Sequence, residues 1–408
     1  MFSEDVGGLI CRTLNQVDPR LVDHGERVAR TVSRMLTVQG RYGKKERQEI
    51  CLLALLHDIG AYKTEEIDQM VRFESQDVWE HSIYGCLFLE QLSPLKRWAK
   101  AVLFHHANVR LLGGLEPECR EIAQMLNIAD RADIFMVDEG ASRASVRALL
   151  EGPYAQRFDP SVVSLFLRAL EAEDLPEETA FALDLSDAQR EAYLRMIIYA
   201  IDFRSPHTVT HTITTTRISV EIARYLGLAD EWLHRIWYGA LLHDLGKVGI
   251  PVEILEFPGK LSAQAMSIMR THVDITEQIL GGVLDPVTAN IALRHHEKLD
   301  GTGYPRGLRG DALNTAERIV AVADMASALL GTRSYKEAFS RERTLSILRE
   351  EAEAGRIDAL CVRVFTEHFD QIYQEVQAHC NPVIEIYHGI HREYDVLVAR
   401  KNQSLRTT

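Results

Sequence analysis

One order of residues, met twice along the chain, constrains the fold more than any other feature. Leu-Leu-His57-Asp58-Ile-Gly in the first half returns as Leu-Leu-His243-Asp244-Leu-Gly in the second. A histidine precedes each, His24 by 33 residues and His211 by 32. A single histidine follows each, His81 and His272, and then a pair, His105-His106 and His295-His296. Each half then carries an aspartate in an apolar run, Asp130 and Asp324. The segment from Arg157 to Phe166 corresponds in the same way to that from Arg356 to Phe365. Self-similarity on this scale implies two related units, and 408 residues suffice to give each its own core.

Both units read as helical. Apolar residues recur at three- and four-residue spacing in 21–36, 49–56, 218–226 and 235–242, while alternating β-branched runs are scarce. The stretches 246–261 and 298–313 are rich in Gly and Pro and read as loops. The acidic segment 171–179 reads as a linker or equally as an exposed helix end, and 341–356, mixed Arg and Glu, reads as a solvated helix. After Asn381 a partly amphipathic run carries Ile384, Ile386, Tyr387, Ile390 and Tyr394, a surface for the chain's own domain or for a partner subunit. The expected boundaries are 1–175 for the first domain, 176–195 for a linker, 196–380 for the second domain and 381–408 for a helical tail.

With 46 basic and 59 acidic residues, the net charge of -13 argues against a protein that coats DNA. One local basic pair still suffices to hold a phosphate. No apolar run approaches the ~18 residues a membrane span needs, and the acidic start lacks a signal peptide's basic flank. The six cysteines include no C-x-x-C pair and read as reduced core thiols. The expectation is a cytoplasmic protein.

A lone histidine in a helix is more often a surface or hydrogen-bonded core residue than a ligand. Seven ligand-type residues in the same order twice are a different matter. Imidazole with carboxylate suits divalent first-row metals and disfavours an oxygen-only ion such as calcium. The Asp of a His-Asp dipeptide at a helix end can bridge two ions. Consecutive helical residues point about 100° apart, so His295-His296 works best at a helix end or kink.

These residues resemble the HD superfamily of metal-dependent phosphohydrolases. The second half, with His243-Asp244-Leu-Gly-Lys247 and His295-His296-Glu297-Lys-Leu-Asp300-Gly-Thr-Gly303-Tyr304-Pro305, is similar to its HD-GYP subfamily over roughly 196–369. The first half, over roughly 23–169, is a divergent HD match: Ala61 stands where the lysine would be, and Ala-Asn-Val-Arg follows His105-His106. The resemblance implies an all-α fold of two tandem HD-type helical bundles in a bacterial signalling enzyme. It implies a metal-dependent phosphodiesterase that linearises a cyclic dinucleotide, cyclic di-GMP first and 3′,3′-cyclic GMP-AMP second. Two or three divalent ions, iron or manganese, would be held by His211, His243, Asp244, His272, His295, His296 and Asp324. Lys247 and Asp244 would be catalytic; Arg333, Lys336, Tyr304 and Gly303 would meet the substrate.

Two departures stand out. Members with three metals carry a Glu four residues before the first ligand, where this chain has His207, either an extra ligand or an ordinary polar residue. Ser327 replaces an Asp three residues after Asp324, which implies a weaker support for a ligand rather than a lost one. Asp300 reads as a supporting group, a proton donor or a loop cap. The first half, with His24, His57, Asp58, His81, His105, His106 and Asp130, forms a candidate second metal site with a regulatory or structural role. A non-catalytic nucleotide sensor and an HD-type hydrolase of another nucleotide are the competing functions. A homodimer or a signalling partner is a further expectation.

Overall fold

A computed structural model describes residues 6–16, 23–63, 80–137, 140–152, 154–172, 185–203, 210–257, 259–331 and 339–406. His207, Arg333 and Lys336 lie outside the described residues, as does 176–184 of the expected linker. The described elements are all helical. No strand forms among them, and one isolated bridge joins Asp300 to Arg309. The chain divides into two compact units, one formed by Glu4–Ala200 with Ile390–Thr408, the other within Ile201–Gly389. Residues 187–195 of the expected linker belong to the helix Asp187–Asp202. The expected tail continues the helix Phe369–Arg406 without a break. Within the first unit Tyr394 stacks on Tyr84 at 4.4 Å between ring centroids, and within the second Tyr387 meets Phe203 at 4.5 Å.

The two units repeat one order of helices. His24–Gln39, Lys44–Leu55, Glu80–Leu92 and Pro117–Val137 in the first correspond to His211–Tyr225, Asp230–Leu242, His272–Leu280 and Thr315–Leu330 in the second. Short 3-10 turns, Ile59–Lys63 and Leu245–Gly249, follow the two His-Asp pairs. Local chemistry fixes the boundaries. Asp159 and Asp358 each accept backbone N–H groups at a helix start, and Asp285 does so before Pro286. Asn314 and Glu317 form a reciprocal capping box that begins Thr315–Leu330.

In the second unit, His211–Tyr225 packs against both Asp230–Leu242 and Thr315–Leu330. Thr315–Leu330 buries Ile319, Val320, Val322, Ala323 and Ala326 completely. This rigid apolar packing presents Asp324 and Ser327 toward the start of His211–Tyr225, because residues three apart on a helix share a face. All six cysteines are buried.

Candidate metal centre

In the second unit each expected ligand stands at a helix terminus or faces one. His211 and His272 open helices, and His243 caps the C-terminal end of Asp230–Leu242. His295 and His296 follow Arg294, the C-cap of Pro286–Leu293. The break at that cap lets two consecutive rings, 4.0 Å apart, enter one cavity. Asp324 reaches in from mid-helix.

Asp244 lies at the middle. Its Oδ2 is 3.4 Å from His211 Nε2 and 3.1 Å from His243 Nε2; its Oδ1 is 3.5 Å from His272 Nε2 and 3.9 Å from His295 Nε2. Asp324 Oδ1 stands 3.0 Å from His211 Nε2, and its Oδ2 stands 3.5 Å from His296 Nδ1. Ligands about 2.1 Å from one ion sit about 3 to 4 Å from each other. The separations match two ion subsites that share Asp244, one with His211 and His243, the other with His272, His295 and His296.

The hydrogen bonds show what the pocket lacks. Nδ1 of His243, His272 and His295 lies 2.6 Å from the carbonyl oxygens of Ala240, Met269 and Ala292. Each Nδ1–H therefore donates outward, which turns the Nε2 lone pair inward. His272 Nε2 and His295 Nε2 then face each other 3.4 Å apart, acceptor against acceptor, an arrangement that a cation between them resolves. Buried His243 Nε2 and Asp244 Oδ1 have no hydrogen-bond partner among the described residues. The donor set fits a pair of divalent ions.

The electrostatics agree. Burial alone would raise Asp244 and Asp324, but nearby histidines, with Lys247 beside Asp244, hold both well below the usual carboxylate range. Burial pushes His295 down and His296 to about 3, leaving neutral imidazoles fit to ligate. Burial opposes a proton on His243 as well, yet the two carboxylates raise it to about 10. That same negative field favours a metal cation.

The first unit reproduces the arrangement. His57 Nε2 lies 3.3 Å from Asp58 Oδ2, His81 and His105 Nε2 each lie 3.7 Å from Asp58 Oδ1, and His24 Nε2 lies 3.2 Å from Asp130 Oδ1. His57 and His105 donate from Nδ1 to the carbonyls of Ala54 and Val102, at 2.8 and 2.5 Å.

Comparison with known proteins bears on both units. One HD-domain family model matches residues 195–360 and another matches 21–136. A 3′3′-cGAMP-specific phosphodiesterase 1 of Vibrio cholerae is 27% identical over 396 residues, 90% of this chain and 91% of that protein. A cyclic di-GMP phosphodiesterase response regulator, RpfG of Xanthomonas campestris, is 40% identical over 183 residues, 44% of this chain and 48% of that one. The crystal structure of a cyclic GMP-AMP-specific phosphodiesterase of V. cholerae, V-cGAP3, aligns over 90% of this chain and 97% of that chain, with a TM-score of 0.53 at 21% identity, which shows a shared fold.

The chain belongs to the HD-GYP family.

The HD-GYP loop after His295-His296 explains its own sequence. Glu297, buried, accepts from the backbone N–H of Arg306 at 2.7 Å and of Leu308 at 2.9 Å, which folds the loop back on the ring. A Cβ on Gly303 would come within 2.5 Å of the Glu297 Cα, so glycine is required there by close approach. Tyr304 lies 4.7 Å from the His296 ring, and the Arg270 guanidinium sits over its face at 4.8 Å. Asp300 is an exposed loop cap that accepts from the N–H and the hydroxyl of Thr302.

Ser327 supports His211 from behind. Its hydroxyl donates to the His211 carbonyl at 3.1 Å and its oxygen accepts from Nδ1–H at 2.9 Å. In the first unit Asp133 holds the same register, 2.7 Å from His24 Nδ1, and Arg27 grips its other oxygen. A hydroxyl polarises an imidazole less than a carboxylate does. Ser327→Ala is expected to weaken divalent-ion affinity by about 10- to 100-fold with the fold intact; ion titration followed by elemental analysis measures it, and unchanged affinity would rule this support out.

Three residues escaped the sequence reading. Asp202, nine positions before His211, is buried, and burial drives its carboxyl up to about 7. Arg270 stands two positions before His272, and the loop-holding role of Glu297 was not seen. No pattern in the sequence singles out Asp202 or Arg270, since each meets the site only once the helices pack.

Proposed function

We propose that the second unit hydrolyses a phosphodiester bond of a cyclic dinucleotide and releases a linear dinucleotide. One observation carries the reading: the ring of ligands opens onto a cleft of about 1070 Å³ with Lys247, Arg270 and Tyr304 in its lining. That is the upper end of small-ligand sites, large enough for more than a mononucleotide. Lys260 and Lys298 also line it, a local concentration of positive charge on an acidic chain. Phe257 and Tyr373 present half-exposed rings on which a base can stack. V. cholerae and X. campestris relatives named for cyclic dinucleotide hydrolysis support the assignment. This chain spans nine-tenths of the first and about half of the second. Cyclic GMP-AMP is therefore the first substrate to test, and cyclic di-GMP the second.

His211, His243, Asp244 and Asp324 would hold one ion, and His272, His295 and His296 with Asp244 the other, iron or manganese. Such ions supply an acidified water and neutralise charge on the phosphate. The protein's own residues do the rest. Lys247 Nζ, 2.5 Å from Asp244 Oδ2, brings a fixed ammonium to the edge of the ring, where a non-bridging phosphate oxygen would lie. The fork of Arg270 and the phenol of Tyr304 orient the diester from the cleft wall. Arg333 and Lys336 belong to this proposal as further phosphate contacts, and His207 as a ligand of a third ion.

The test is chromatography of products from both cyclic dinucleotides with iron or manganese added. Binding without a linear product would replace the enzyme with a sensor. Lys247→Ala is expected to lower kcat by about 10²-fold while metal content holds, since its loss leaves every ligand in place. Loss of metal instead would make Lys247 a structural residue.

A further inference from the structure

We propose that the ring around Asp58 in the first unit is a closed two-ion centre whose ions stabilise that unit and take no part in phosphate-ester hydrolysis.

The donors are complete. Asp58 faces His57 with one oxygen and His81 and His105 with the other, the same bridging geometry that Asp244 makes. Buried His57 Nε2, Asp58 Oδ1, His105 Nε2 and Asp130 Oδ2 lack hydrogen-bond partners among the described residues. Unsatisfied groups of this kind destabilise a fold when nothing coordinates them. A concentration of them inside one unit is a large folding penalty that bound cations relieve, so ion binding and folding are coupled there.

What surrounds the ring closes it. Structural metal sites are enclosed, whereas catalytic ones keep a position open. The His106 side chain is 15% exposed against 27% for His296, and Asp130 is 3% exposed against 13% for Asp324. Three positions before Asp324 lies Ala321, and one after it lies Met325; both line the cleft of the second unit. The same registers from Asp130 hold Asn127 and Arg131, both buried. Asn127 Nδ2 donates to the Ala107 carbonyl at 3.0 Å, and Arg157 donates to the His106 carbonyl at 2.9 Å. The backbone after the histidine pair is thereby clamped onto the ring, where the second unit has its Gly-Tyr-Pro loop. Ala61, buried, replaces the lysine that would meet a phosphate. The paired carboxylate Asp133, itself gripped by Arg27, makes His24 the better-supported imidazole, which suits retention of an ion rather than exchange.

The experiment uses the full chain carrying His243→Ala and Asp244→Ala, stripped by a chelator and then titrated with Mn²⁺. Expected are retention of about two ions per chain and an upward shift of a thermal transition by several degrees. Adding Asp58→Asn removes both effects. Should that variant fail to fold, His81→Gln, which leaves the bridge in place, is expected to retain about one ion fewer. Failure to retain manganese, or retention without a thermal shift, overturns the proposal. So does hydrolysis of p-nitrophenyl phosphate or bis(p-nitrophenyl) phosphate by the His243→Ala, Asp244→Ala chain that Asp58→Asn abolishes, because the centre would then be catalytic.

Discussion

Asp244→Asn is expected to lower hydrolysis of a cyclic dinucleotide by about three orders of magnitude or more and to empty both ion subsites together. The two carboxylate oxygens face different imidazoles, Oδ2 toward His211 and His243 and Oδ1 toward His272 and His295. An asparagine keeps the shape but removes the shared negative charge and turns an N–H₂ group toward one of the subsites. Lys247, whose ammonium lies against Oδ2, loses its counter-charge at the same time. Removing one partner of a buried ion pair costs roughly 3 to 5 kcal/mol, so a lower melting temperature accompanies the loss. His272→Ala, by contrast, takes one imidazole from one subsite, and the metal held around Asp244 should fall by about half, with the ions of the first unit retained. Elemental analysis of both variants beside product chromatography separates the cases. An Asp244→Asn chain that keeps its metal and near-normal turnover would remove the bridging carboxylate from the account.

The repeated order of histidines and aspartates was legible because ligand identity survives in sequence regardless of what surrounds it. The helix starts at Asp159, Asp285 and Asp358 were not read from the apolar spacing, although their side-chain caps have local partners. The supporting residues were only partly legible. Ser327 was readable as a replacement, but that its hydroxyl would serve both the ring and the carbonyl of His211 depends on the helix Thr315–Leu330 lying beside the start of His211–Tyr225. Asp202 and Arg270 depend on tertiary placement alone: an isolated Asp or Arg at a helix end carries no sign of the ring it will face. The closure of the first unit's ring was hidden for the same reason, because Asn127 reaches the Ala107 carbonyl and Arg157 the His106 carbonyl only once the helices pack.

Gly246→Ala tests whether that packing sets the chemistry. A Cβ at Gly246 would lie 1.9 Å from the His272 carbonyl oxygen and 2.6 Å from the Thr276 nitrogen, both backbone atoms with no rotamer to yield. The 3-10 turn carrying Asp244 and Lys247 and the helix that begins at His272 must therefore move apart. Thr276 ties the same two elements, accepting from Gly246 N–H at 2.9 Å and donating to the His272 carbonyl at 2.8 Å, so the shift also breaks this link. Overpacking of this kind costs about 1 to 3 kcal/mol, yet the larger effect is on geometry, because a displacement of about 1 Å at a reacting centre is worth about 10²-fold in rate. The expectation is a folded protein with weakened metal binding and turnover reduced by at least that factor. The first unit offers the internal control, since a Cβ at Gly60 would lie 1.9 Å from the His81 carbonyl oxygen. Gly60→Ala should disturb the ring around Asp58 and the stability of its own unit, with metal bound at Asp244 retained. A Gly246→Ala chain with unchanged turnover would show that the distance between the Asp244 turn and the His272 helix does not govern the site.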